Sequence, residues 1–124
     1  MTDCPIQVTV QPEYLANQSE PGSRRFAFAY HITITNNGSQ PAQLLSRHWH
    51  IVDGNNERKE VQGDGVVGEQ PFIASGDSYR YSSGVILETP VGTMEGSYQM
   101  VGPDGDTFDA PIPAFVLAVP GALH

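Results

Sequence analysis

S-R-H-W-H-I-V-D-G-N-N-E-R-K-E-V-Q-G-D-G-V-V-G-E-Q-P, residues 46–71, supports two incompatible readings. It holds the single tryptophan, two of the four histidines, half of the six basic side chains and a literal G-x-G-x-x-G at Gly63, Gly65 and Gly68. One reading makes it a nucleotide or metal site. The other makes it a core strand, a hairpin and a loop. In a dinucleotide fold the glycine motif follows a strand and opens a helix, whose N-terminal amides meet the pyrophosphate. Here Pro71 stands three residues after Gly68, and a short apolar segment follows. Glu88 lies where a ribose-binding acid would be sought, but no βαβ pattern contains it. Asp64 and Glu69 also put negative charge where a phosphate would sit. The motif therefore reads as a structural glycine loop. Gly63, Gly65 and Gly68 remain candidates only for weak anion or nucleotide binding through a nest of amides.

Around this stretch the apolar period is two. Ile6, Val8 and Val10 alternate with polar residues, and Pro12 is expected to end that ladder or mark an edge. Residues 17–23 read as a loop. Phe26, Phe28, Tyr30, Ile32 and Ile34 define the clearest strand, with Ala27, Ala29, His31, Thr33 and Thr35 on its other face. Asn36-Asn37-Gly38-Ser39 reads as a hairpin turn into a strand over residues 42–53. There Leu45, Arg47, Trp49 and Ile51 share one parity, and Leu44, Ser46, His48, His50 and Val52 the other. Asp53 to Asn56 turns the chain into a short charged strand over 57–62, and residues 63–70 read as loop. Further strands are expected over 78–88, with a bulge at Gly84, over 93–101, and over 107–119. No stretch keeps a 3.6 period over a helix length. Seven to eight strands with 13 Gly and 10 Pro indicate an all-β fold. The expectation is an antiparallel two-sheet sandwich, immunoglobulin- and fibronectin type III-like, forming a single domain over residues 1–124.

Composition excludes some functions. The formal charge is −8, from 14 acids against 6 bases, so nucleic acid and anionic membrane are repelled. No apolar run approaches a membrane span, so no membrane insertion is expected. The start M-T-D-C-P lacks the regions of a secretion signal, and Cys4 is the lone thiol; both suggest a reducing cytoplasm. No cofactor is expected. His48 and His50, two apart on a strand, share a face, and His31 is expected on the same outer surface. His31, His48 and His50 are thus the candidate ligands for a divalent cation such as cobalt or zinc, and a poor set for magnesium. No G-x-S-x-G or Cys/His framework points to an enzyme.

The residues carrying a family resemblance are V-V-G-E-Q-P (66–71), Y-x-S-G (81–84), Leu87, Pro90 and G-x-M-x-G-x-Y (92–98). Arg47, Trp49 and Ile51, the turn T-N-N-G (35–38), and Pro113 with Phe115 complete the set. Together they resemble the ApaG family over nearly the whole chain. Ser75-Gly76 departs from the Pro-Gly usual there. The resemblance implies a fibronectin-type sandwich, a bacterial cytosolic setting and an association with cobalt and magnesium efflux or tolerance. Related domains in eukaryotic F-box proteins and a polymerase-interacting protein look like protein-binding modules. No catalytic residues come with it. The expected partner is an unidentified protein at the edge over residues 57–62 and the glycine loop, with a weakly held divalent cation and a homodimer as further partners.

Overall fold

The computed structural model describes residues 4–122. Among them are eight strands: β1 (Ile6–Tyr14), β2 (Phe26–Asn36), β3 (Ala42–Asp53), β4 (Arg58–Asp64), β5 (Phe72–Ile73), β6 (Ser78–Leu87), β7 (Val91–Val101) and β8 (Thr107–Ala118). They form two antiparallel sheets. One has the order β1-β2-β6 and the other β4-β3-β7-β8. The short β5 pairs with β3 on the same side as β4, continuing that edge. This is the two-sheet sandwich that the alternation of apolar residues implies.

The core lies between the sheets. Phe28, Ile32 and Ile34 from β2 meet Leu44, Trp49, Tyr98, Met100 and Leu117 from the opposite sheet. Trp49 packs edge-on against Tyr30 at 5.4 Å and Phe115 at 5.9 Å between ring centroids. Such edge-to-face pairs add to what area burial alone supplies. One lateral side of the sandwich is closed where β1 packs on β8. On the other, β4 and β6 each pair on one side only and frame an open cleft.

The structure changes several expectations. The turn at residues 36–39 is not a hairpin: β2 and β3 lie in different sheets. Asn36 is fully buried there. Its Nδ2 donates to the carbonyls of Gln40 (2.8 Å) and Ile73 (2.9 Å), and its Oδ1 accepts from the Gly38 amide (2.9 Å). These bonds hold the chain as it crosses between sheets. In β3 the parity is broken by an irregularity between Leu44 and Ser46, so Leu44 and Trp49, an odd number of residues apart, both face the core. The extra residue of a bulge, here Leu45, shifts the phase of the alternation. Conversely, Gly84 interrupts nothing, since β6 pairs with β2 without a register shift. Pro12 does not end β1, which runs on to Tyr14; as an edge strand it needs no amide on its outer side. Gly63 and Asp64 belong to β4, not to the loop, and residues 17–23 contain parts of two single 3₁₀ turns.

Candidate functional site

The three glycines of the motif occupy three different positions. Gly63 sits in β4 opposite Arg47, and a Cβ there would come within 2.9 Å of the guanidinium Nη1. Gly65 has φ +64°, and a Cβ would approach the Glu69 carbonyl oxygen to 2.3 Å. Gly68 has φ +80° and forms, with Val67 at φ 50°, the tip of a two-residue turn. Positive φ at both central residues is the geometry of a type I′ hairpin. No helix follows. The Gly65 amide donates to the Leu45 carbonyl (2.8 Å), that of Val66 to Glu69 (2.8 Å), and that of Glu69 back to Val66 (3.0 Å). Arg47 Nη1 donates to the carbonyls of Asp64 (3.0 Å) and Gly65 (2.9 Å). The amides of Gly65, Val66 and Glu69, which could cradle a phosphate, are thus already bound to carbonyls.

The structure brings His48 and His50 together and leaves His31 apart. His48 and His50 lie on the outer face of the larger sheet, with ring centroids 4.5 Å apart. Glu60, on β4 directly opposite His50, joins them. Ligand atoms of all three lie within 4.8 Å of one another, and His48 Nε2 is 3.2 Å from Glu60 Oε1. Ligand atoms around a tetrahedral zinc-like ion are about 3.3 Å apart. Two imidazoles and one carboxylate can therefore close three corners of such a shell with small side-chain rotations. Glu60 was not among the sequence candidates.

His31 lies on β2, in the smaller sheet, so the expectation of a shared surface fails: the turn before β3 changes sheets. Its Nδ1 bonds Ser82 Oγ (2.6 Å) and its Nε2 bonds Glu13 Oε1 (2.8 Å). These are the residue types of a hydrolase triad. There, however, serine bonds Nε2 and the acid bonds Nδ1. Here the nitrogens are exchanged, and the imidazole is 44% exposed on an open sheet face.

The open side of the sandwich gathers exposed apolar residues. Of the four large apolar side chains exposed among the described residues, Val67 (64%), Phe72 (76%) and Ile86 (45%) border this side. Val67 and Phe72 belong to the β4–β5 edge, and Ile86 to β6. Val67 is also β-branched at a left-handed φ, which costs about 1–2 kcal/mol.

Beneath the cleft a buried phenol and a half-buried one join the sheets. Tyr81 of β6 and Tyr98 of β7 share a hydroxyl–hydroxyl bond of 2.5 Å. Burial pushes both phenols well above the ordinary value of 10.0, and for Tyr98 the neighbouring Tyr81 adds to the effect.

Comparison with known proteins agrees with the motifs. The ApaG domain model matches residues 16–102. Protein ApaG of Aromatoleum aromaticum is 58% identical over 119 residues, covering 96% of this chain and 94% of its own. Protein ApaG of Pseudomonas fluorescens strain Pf0-1 is 60% identical over the same span and coverage. The crystal structure of a putative ApaA protein from Bordetella pertussis superposes with a TM-score of 0.91 at 49% identity, over 94% of each chain.

Proposed function

The chain belongs to the ApaG domain family, and we propose that it acts in the cytoplasm by binding another protein, not by catalysis. The observation that carries this reading is the open side of the sandwich. Two sheet edges end there unpaired, and Val67, Phe72 and Ile86 are exposed along them. Exposed apolar groups beside free strand edges suit strand addition by a partner. The strain at Val67 supports the same surface, because strained backbone persists where function holds it. The names of its relatives state no reaction. The association with cobalt and magnesium tolerance that the family resemblance implies would then be exerted through the partner.

The test is affinity capture from the native cell, with and without added cobalt, using the wild type and Val67→Ser/Phe72→Ser. Loss of a specific partner from the variant supports the reading. Retention of every partner removes this surface, and no specific partner for the wild type removes the reading.

A second reading has its own observation. His48, His50 and Glu60 form a cluster able to hold a divalent cation directly. Imidazole and carboxylate favour cobalt or zinc over magnesium. Titration with cobalt of the wild type and His48→Ala/His50→Ala decides it: equal affinities dismiss the cluster.

A further inference from the structure

Fourteen of the twenty charged side chains are acidic. The centre of the β4/β6 cleft reverses that balance. Its cavity of about 580 Å³ is lined by Arg25, Arg47 and Lys59 and by no acid. Its floor is apolar, with Phe28, Trp49, Ile51, Val61 and Val85 among its walls. Half of the basic residues of the chain therefore converge on one apolar trough. Among the described residues no Lys or Arg lies within 4 Å of a carboxylate, so these cations are not neutralised by the protein itself. Nη1 of Arg47 serves the carbonyls of residues 64 and 65, but its guanidinium keeps further donors.

The two edges of the trough differ. β4 opens with Arg58, Lys59 and Glu60, charges that discourage strand addition. β6 from Tyr81 to Leu87 reads Y-S-S-G-V-I-L, without a charge, a proline or a bulge. It is paired on one side only. An unguarded edge of this kind offers its free amides and carbonyls to an added strand.

We propose that the cleft binds an extended, acidic segment of a partner protein, which adds to β6 along residues 82–87 and sets its carboxylates against Arg25, Arg47 and Lys59. The proposal rests on the protein-binding reading and gives that partner its chemistry. Alternate side chains of an added strand face opposite ways, so one set meets the apolar floor and the cations. The net charge of −8 does not forbid this. Exposed charges farther than a Debye length, about 8 Å at physiological salt, are largely screened, whereas the three cations are local. At one end the cleft is mixed in charge, with Asp53, Glu57 and Glu88 beside Arg58 and Lys59, so the segment's acids are expected at the centre, where no acid lines the trough.

The experiment titrates the isotope-labelled protein with an octapeptide of alternating glutamate and valine, following backbone amides by NMR. A lysine–valine octapeptide and octanoate serve as comparisons. Shifts confined to Ser82–Leu87 and Lys59–Val61, weakened at least about tenfold by salt and by Arg25→Glu/Lys59→Glu, support the proposal. Both substituted residues are exposed, and an unchanged melting temperature shows the variant folded. Ile86→Glu, which places on β6 a guarding charge of the ligand's own sign, is expected to abolish binding in the same way. Equal shifts from the lysine peptide overturn the proposal, as do shifts elsewhere or saturation by octanoate without the glutamate peptide. If the charge-reversed variant still captures the wild-type partner from cells, this cleft chemistry fails and the binding reading stands. If the wild type captures nothing specific, that reading fails first.

Discussion

The hydroxyl pair between Tyr81 and Tyr98 predicts an uneven response to deletion. The two rings stand edge to face, 6.5 Å apart, one from each sheet. Tyr98 is fully buried, whereas Tyr81 is partly accessible. In Tyr81→Phe the Tyr98 hydroxyl loses its partner with no water beside it, and an unsatisfied buried donor costs about 1–3 kcal/mol. Tyr81 is the more accessible of the two, so in Tyr98→Phe its hydroxyl is expected to regain water by a small rotation, and the loss should be nearer the net worth of the bond, about 0.5–1.5 kcal/mol. Removing both hydroxyls leaves two phenyl rings of unchanged shape and no orphan, which is nearly neutral. The double variant is therefore expected to be more stable than Tyr81→Phe alone. Urea denaturation of the four proteins measures this, followed by the fluorescence of Trp49, the single tryptophan, which is 3% exposed. Additivity within about 0.5 kcal/mol would refute the coupling. So would a Tyr98→Phe variant less stable than Tyr81→Phe.

The same phenols predict alkaline sensitivity. Their neutral forms are favoured in the folded state, so below pH 10 they add no pH dependence, and above it the unfolded chain ionises while the folded one does not. Urea midpoints should fall as the pH rises above about 10, and the double phenylalanine variant should lose part of that slope. Val67→Asn is expected to raise stability by about 1 kcal/mol, because asparagine accepts the left-handed φ and asparagine–glycine suits the type I′ turn; an unchanged urea midpoint would contradict the strain. Gly96→Ala should cost about 3 kcal/mol or more, since its Cβ would stand 2.0 Å from the His48 carbonyl oxygen in the middle of the sheet. A mild loss would mean that the β3–β7 spacing gives way. Calorimetric titration with ATP and with pyrophosphate is expected to show no saturable heat below the millimolar range, as the amides of Gly65, Val66 and Glu69 are already paired.

What the sequence revealed depended on how local the determinant was. The β2 alternation and the burial of Trp49 follow from neighbours in the chain, and both are seen. The turn at Asn36 carries residues suited to a hairpin and equally to a crossing between sheets; only the partners of the Asn36 amide, Gln40 and Ile73, separate the two. The bulge at Leu45 had a faint signal in two adjacent leucines, which apolar pairing on one parity cannot place together. His48 and His50 were visible from their spacing. Glu60 could have been found by counting across the Asp53–Glu57 hairpin, where His50 and Glu60 are symmetric about Asn55. The bonds of His31 to Glu13 and Ser82 were not accessible, since they require β1 and β6 to flank β2.

The glycine motif gains a structural explanation that ties it to the cleft. Gly63 has no side chain, so Arg47 can lie across β4; Gly65 adopts a φ that lets the chain leave the strand; Gly68 completes the tip. Arg47 then bonds the carbonyls of residues 64 and 65, and the Leu45 carbonyl holds the Gly65 amide and Gln70 Nε2 (2.9 Å). Each contact fixes the hairpin to β3. The spacing of the three glycines thus answers to a guanidinium and a tight turn, with no phosphate required. Its consequence is a rigid base for Val67 at one end of the cleft and an Arg47 held beside its floor. Were the glycines there for an anion, the amides of Gly65, Val66 and Glu69 would point to it; instead they are bound to carbonyls, and the positive charge they help to place faces the trough between the sheets.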